Sequence, residues 1–152
     1  MRAVVQRVNH AQVVVAGETV GTIGPGLLVY LGVGTGDTAA DRTYILRKVL
    51  NLRIFENDAG KLDKSVLDTK GELLVVSQFT LFGDVRRGNR PSFEGAMEPA
   101  QAEAHYQAFV AEARTQLRVA TGVFRADMRV LSENAGPITI WIDSQKSAEM
   151  SS

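Results

Sequence analysis

Leu27-Leu28-Val29-Tyr30-Leu31-Gly32-Val33 is a nearly continuous apolar run. A strand facing water on one side alternates, whereas one buried on both faces does not, so this run predicts a central strand covered on both sides. Glu72–Phe82 has the same character over Leu73-Leu74-Val75-Val76 and predicts a second central strand. A sheet with such strands needs helices to cover it. Thr38-Ala39-Ala40-Asp41 matches a capping box, in which the Thr and Asp side chains satisfy backbone donors at a helix start. The helix that follows places Ile45, Leu46, Val49 and Leu50 on one face. Pro99 stands where a first helical residue is favoured. Tyr106, Phe109, Val110, Ala113 and Leu117 then recur at helical spacing, and Gly122 is the expected cap.

The rest reads as β. Ala3–Val8 and Ala11–Val15 are Val-rich, with His10 at a turn between them, and Ala16-Gly17-Glu18 suits a hairpin before Thr19–Ile23. Asn57-Asp58-Ala59-Gly60 is a turn between Arg53–Phe55 and Lys61–Leu62. Phe124–Leu131 and Ile138–Ile142 complete the strands. The expected fold is α+β: a hairpin-rich mixed or antiparallel β-sheet, barrel-like, packed with two main helices, with hairpins rather than regular βαβ units. The expected organisation is one domain over residues 1–144 and a flexible tail over 145–152.

Cysteine is absent, which excludes a disulfide framework, thiolate catalysis and zinc-finger spacing. No apolar stretch approaches the ~18 residues of a membrane span, and the strand-like start shows no signal peptide. A cytoplasmic chain without membrane contact is expected. Basic and acidic residues balance at 17 each, so any polyanion contact must come from a local patch. Arg86-Arg87-Gly88-Asn89-Arg90 is that patch: a solvated loop, or a set of phosphate contacts.

Gly32-Val33-Gly34-Thr35-Gly36 lies between strand and helix, as a phosphate-binding turn would. It matches neither G-x-G-x-x-G nor the Walker loop, and Asp37 at the helix entrance would repel phosphate. His10 and His105 are the two histidines. They are too few for a metal centre without clustered carboxylates, and both read as surface or packing residues. A triad using Ser77 with either stays open, because triads are defined by geometry, although no Gly-x-Ser-x-Gly elbow accompanies Ser77. No metal or cofactor is expected.

Two segments remain. Ser77-Gln78-Phe79-Thr80 ends the second central strand, with Ser77 and Phe79 expected on one face and Gln78 and Thr80 on the other. A hydroxyl, an amide and backbone N–H groups at a strand end suit a carbonyl or oxyanion. Asn134-Ala135-Gly136-Pro137-Ile138-Thr139 exposes backbone before the last strand. Neither segment supplies a base, a metal ligand or a thiol.

Together with Met1-Arg2-Ala3-Val4-Val5-Gln6-Arg7-Val8, Arg90-Pro91-Ser92-Phe93 and Ala126-Asp127-Met128, these segments resemble the D-aminoacyl-tRNA deacylase family over Met1 to about Asp143. The sequence departs from the family pattern at Ala135, where Asp is usual, at Arg125, where Gly is common, and at Gly83, where Ala is common. The resemblance implies a homodimer whose Gly136-Pro137 motif, with a cis bond, reaches into the partner's pocket around Ser77, Gln78, Phe79 and Thr80. It assigns catalysis to those four residues and substrate binding to Gly136, Pro137, Ile138, Thr139, Phe124 and Met128. Arg7 is assigned to holding the Gly-Pro motif. Arg86, Arg87 and Arg90 are the candidate tRNA contacts. The implied substrate is D-aminoacyl-tRNA, with glycyl-tRNA leaking through. The implied route uses the 2′-hydroxyl of the terminal adenosine, with a Thr80 nucleophile as the other possibility. Two readings of another kind stand beside it: a non-catalytic dimeric nucleic-acid-binding module, and a Ser77 hydrolase of small esters.

Overall fold

The computed structural model describes residues 1–145. Its elements are β1 (Arg2–Val15), β2 (Glu18–Ile23), β3 (Gly26–Gly32), α1 (Ala39–Asn51), β4 (Phe55–Glu56), β5 (Leu62–Lys64), β6 (Glu72–Ser77), a 3-10 turn (Phe79–Phe82), α2 (Pro99–Arg114), β7 (Val119–Thr121) and β8 (Arg129–Asp143). The main sheet runs β2-β1-β3-β6-β7, with β8 on the other edge of β1. β1 pairs antiparallel with β2, β3 and β8, whereas β3–β6 and β6–β7 are parallel. A Cβ on Gly21 of β2 would lie 2.2 Å from the Thr121 carbonyl oxygen of β7. The sheet therefore curls until its ends meet, which gives it a barrel-like form.

The expected mixture of strands and two helices is present. The expectation of hairpins without βαβ connections holds for one half of the sheet only. β3 and β6 are joined through α1, and β6 and β7 through α2. The apolar runs explain this: Leu27–Val29 and Leu73–Val76 are buried on both faces, the signature of parallel strands under helices. One apolar cluster lies under the helices and holds Leu27, Val29, Leu73, Val75, Ile45, Val49, Phe109 and Val110. A second holds Leu28, Leu74, Val76, Val8 and Val13.

The Thr38 cap forms as expected. Thr38 Oγ1 accepts from Ala40 N, and Asp41 Oδ2 accepts from Thr38 N at 2.9 Å. Asp37 is buried instead of repelling ligands: it pairs with the Met1 ammonium and accepts from Gly34 N.

Four expectations are corrected. β1 is continuous through His10, because β8 pairs with it from Arg2 to Val14 and takes up the irregularity on either side of Val8 as register shifts rather than a turn. α2 ends at Arg114, and Gly122 does not cap it. Thr115 Oγ1 takes the Glu112 carbonyl, and residues 119–121 leave to pair with β6 as β7. Residues 124–128 form a loop, and Arg129–Asp143 is one strand. β6 stops at Ser77. Of the expected tail, residues 146–152 lie outside the described residues, while Gln145 donates to Asp37 and Asp41.

Candidate active site

β6 stops at Ser77 because its partner is taken. Gln78 N still donates to Leu31 O at 2.8 Å. Beyond Leu31, however, β3 is met by another segment: Met97 N donates to Val33 O, and Thr35 N to Gly95 O. With no ladder left, the chain closes into the 3-10 turn, with Leu81 N on Gln78 O and Gly83 N on Thr80 O. The expected alternation of Ser77 and Phe79 against Gln78 and Thr80 is therefore lost. Such a turn leaves its first N–H groups, at Phe79 and Thr80, without acceptors inside the turn.

Close approach fixes the turn. A Cβ on Gly34 would sit 2.6 Å from Phe82 Cε1, and one on Gly32 2.9 Å from Gln78 O. These two glycines act as the floor of the 3-10 turn, which accounts for Gly32 and Gly34 without an anion, while Gly36 takes a left-handed φ of +84. From β1, Arg2 Nη1 donates to Leu81 O at 2.9 Å, and its guanidinium stands 4.5 Å from the Phe82 ring centroid. Nothing in the sequence reading singled out Arg2 as a support.

Beside the turn lies a cavity of about 570 Å³, within the usual range for small-ligand sites. Ser77, Gln78 and Phe79 line it, with Phe93, Met97 and Glu98 from the following loop and Phe124, Arg125 and Met128 from the segment before β8. Phe79 is 56% exposed, and its ring meets Phe93 edge-on at 5.0 Å. A Cβ on Gly122 would fall 2.5 Å from Met128 Sδ, so the bare backbone there makes room for Met128. Thr80 is exposed and does not line the cavity, although its Oγ1 accepts from Gln78 Nε2. Phe93, Glu98 and Arg125 were not expected as site residues. The Arg90–Phe93 motif contains Phe93 and the Pro99 helix start adjoins Glu98, whereas Arg125 was marked only by its departure from the family pattern.

The site offers little acid–base chemistry. The Glu98 carboxylate caps α2, accepting from Ala100 N at 3.0 Å and Gln101 N at 3.2 Å. Neither histidine lines the cavity. His10 is exposed on β1 beside Glu133, and His105 Nδ1 sits 3.0 Å from Arg42 Nη1. Ser77 thus has no imidazole within its own chain's cavity. Among the described residues there is no cluster of three or more His, Asp or Glu for a metal ion, and no helix is long and apolar enough to cross a membrane.

The second segment stands apart. Thr139 pairs with Gln6 and Asn134 with Val8, so residues 135–138 are set opposite Arg7 alone. Arg7 Nε donates to Ala135 O at 3.1 Å, and Nη1 donates to Ile54 O at 3.0 Å. Asn134 accepts from Ile138 N through its side chain and donates to Thr139 Oγ1. The Gly136–Pro137 bond is cis, and both residues are exposed. None of Gly136, Pro137, Ile138 and Thr139 lines the cavity of its own chain. The basic patch is also outside it. Arg86 forks onto Asp84, which holds that carboxyl down at about 2, while Arg87 and Arg90 make no ion pair among the described residues.

Comparison with known proteins gives this arrangement a family. Residues 4–143 match the family described as D-Tyr-tRNA(Tyr) deacylase. A protein of Sorangium cellulosum named D-aminoacyl-tRNA deacylase is 55% identical over 148 residues, covering 96% of this chain and 99% of that one. One of Aquifex aeolicus with the same name is 54% identical over 147 residues, again covering 96% and 99%. A solved structure titled c-Myc DNA Unwinding Element Binding Protein superposes with a TM-score of 0.90 at 45% identity, covering 94% of this chain and 98% of that one. A probable eukaryotic D-amino acid tRNA deacylase shares the fold, with a TM-score of 0.78 at 18% identity over 93% of this chain and 97% of that one. The chain belongs to the D-aminoacyl-tRNA deacylase family, whose members are hydrolases.

Proposed function

We propose that this chain hydrolyses the ester between a D-amino acid and the 3′ end of tRNA, releasing the D-amino acid and free tRNA in the cytoplasm. The observation that carries the reading is the make-up of the cavity: a hydroxyl, an amide and turn N–H groups beside aromatic walls, with no imidazole. Water adds to the ester carbonyl, the oxyanion is held by N–H groups near Phe79, and the bond to the ribose oxygen breaks. With the Glu98 carboxylate engaged on the amides of α2 and no imidazole in the cavity, the 2′-hydroxyl of the terminal adenosine positions or activates the water. Thr80 as nucleophile is disfavoured by its place outside the cavity.

Chirality is read by backbone. In this reading two chains pair, and Gly136 and Pro137 of one enter the cavity of the other. Their exposure and their distance from their own cavity support this, as do half-exposed Phe79, Leu131 and Trp141. Carbonyls of the motif hold the α-ammonium, so an L-residue would drive its side chain into rigid backbone. Glycine has nothing to clash and is hydrolysed too. Ile138 and Thr139 fix the motif, Phe124 and Met128 shape the pocket, and Arg86, Arg87 and Arg90 approach the tRNA, with Arg86 partly neutralised by Asp84.

The test is hydrolysis of matched D-Tyr-tRNA and L-Tyr-tRNA, with Gly136→Ala as control. Gly136 has φ +129, and its Cβ would meet Ile138 Cγ1 at 2.9 Å, so the variant must disturb the motif. Loss of only the D-ester, abolished in the variant, is expected. Equal loss of both esters would make this a general esterase. Salt-sensitive RNA binding without cleavage would favour the nucleic-acid-binding module, and one structural relative, the c-Myc DNA Unwinding Element Binding Protein, is named for binding DNA.

A further inference from the structure

We propose that Arg125 is a substrate-binding residue that holds the phosphodiester next to the terminal nucleotide of the aminoacyl-tRNA. The inference rests on the deacylase reading and adds a residue to its site. Two side chains lining the cavity are charged, Glu98 and Arg125. Glu98 spends both oxygens on the first amides of α2. Arg125 is exposed at the cavity, and its guanidinium makes no hydrogen bond, ion pair or ring contact among the described residues. Its backbone is left-handed, with φ +65, a conformation that glycine adopts freely and other residues reach at a cost. A strained, unpaired cation beside a binding cavity is the pattern of a residue placed for a ligand.

The chemistry of the substrate selects the contact. An aminoacylated RNA end presents an α-ammonium, an ester, a nucleoside and a phosphodiester. The ammonium is repelled by a guanidinium, and the neutral groups gain little from one. A phosphodiester offers two oxygens to the planar Arg fork. The wall formed by residues 124–128 would thus hold the RNA backbone while Ser77–Phe79 face the ester.

The substitution Arg125→Gly tests this cleanly, because it removes the guanidinium and relieves the backbone together, so the fold is retained. Steady-state hydrolysis of D-Tyr-tRNA is measured over a series of salt concentrations for wild type, Arg125→Gly and Arg125→Lys. The expected result is a rise in KM of about threefold to fivefold with kcat little changed, as for an exposed ionic contact. The log–log dependence of kcat/KM on salt becomes shallower by about 0.7, the value for one phosphate contact on a single strand. Arg125→Lys keeps the salt slope while recovering part of KM. Unchanged KM and slope in Arg125→Gly would overturn the inference and leave the deacylase reading intact. A loss confined to D-Asp-tRNA, absent for D-Tyr-tRNA, would also overturn it, by assigning Arg125 to an amino-acid carboxylate. A wild type that turns over neither substrate would remove the deacylase reading and this inference with it.

Discussion

The Gly34→Ala substitution examines the device that sets the 3-10 turn of the candidate active site. The added Cβ would lie 2.6 and 2.7 Å from Cε1 and Cζ of Phe82. Carbon contacts settle at roughly 3.5–4.0 Å, so the ring must retreat by about 1 Å. It cannot do so freely, because Arg2 stacks on it and also binds the Leu81 carbonyl in the same turn. Overpacking of this kind costs about 1–3 kcal/mol. The φ of Gly34 is not in the left-handed region, so the usual Gly→Ala gain of about 0.4–1 kcal/mol offsets part of it. The net loss is about 1–2 kcal/mol, read by urea unfolding. Activity should suffer more, because a misplacement of about 1 Å at a reacting centre can cost on the order of a hundredfold. The control is Gly34→Ala combined with Phe82→Ala, which removes the obstructing ring. Coupling between the two sites should be favourable by about 1 kcal/mol, within the range seen for touching residues. Full stability and turnover in Gly34→Ala alone, or simple additivity in the double variant, would refute the reasoning.

Arg7→Ala should lower stability by about 1.5–3 kcal/mol in chemical denaturation, since one half-buried guanidinium joins the Ala135 and Ile54 carbonyls. Arg7→Lys should recover less than half of that, because an ammonium cannot reproduce the fork. Tyr106 donates to Val75 O at 2.9 Å, and burial pushes its phenol up to about 12 from 10.0. A folded value above the unfolded one means that the contribution of Tyr106 is complete below pH 10 and is lost between pH 10 and about 12. Denaturation followed across that range should show this loss in the wild type, and Tyr106→Phe should lack that component of it while costing about 1 kcal/mol at neutral pH.

Much of the fold is local chemistry and was legible. Thr38 and Asp41 write a capping box that needs no tertiary partner, and Ile45, Leu46, Val49 and Leu50 declare a buried helical face. Leu27–Leu31 and Leu73–Val76 announce central strands because no solvent-facing position interrupts them. The absence of Cys and the pairing of hydroxyl, amide and glycine motifs narrowed the chemistry before any geometry was known, and the linked motifs pointed to the family.

What the sequence left open depended on competition between distant segments. The end of β6 at Ser77 could not be read from Phe79–Phe82, because the decision belongs to residues 95–97, which take the place beside β3. The continuity of β1 through His10 rests on β8, more than a hundred residues away. Whether Gly122 caps a helix depends on the pull of β6 on residues 119–121. The same holds for the site. Arg2 lies in a family segment but had no assigned role, and Glu98 and Arg125 carry no motif of their own. They gain meaning only when the sheet brings β1 under the 3-10 turn and sets the start of α2 and residues 124–128 around one cavity. Sequence determines the elements through short-range hydrogen bonding and apolar periodicity; tertiary structure decides where they stop, because each strand edge and each cavity wall has room for a single occupant.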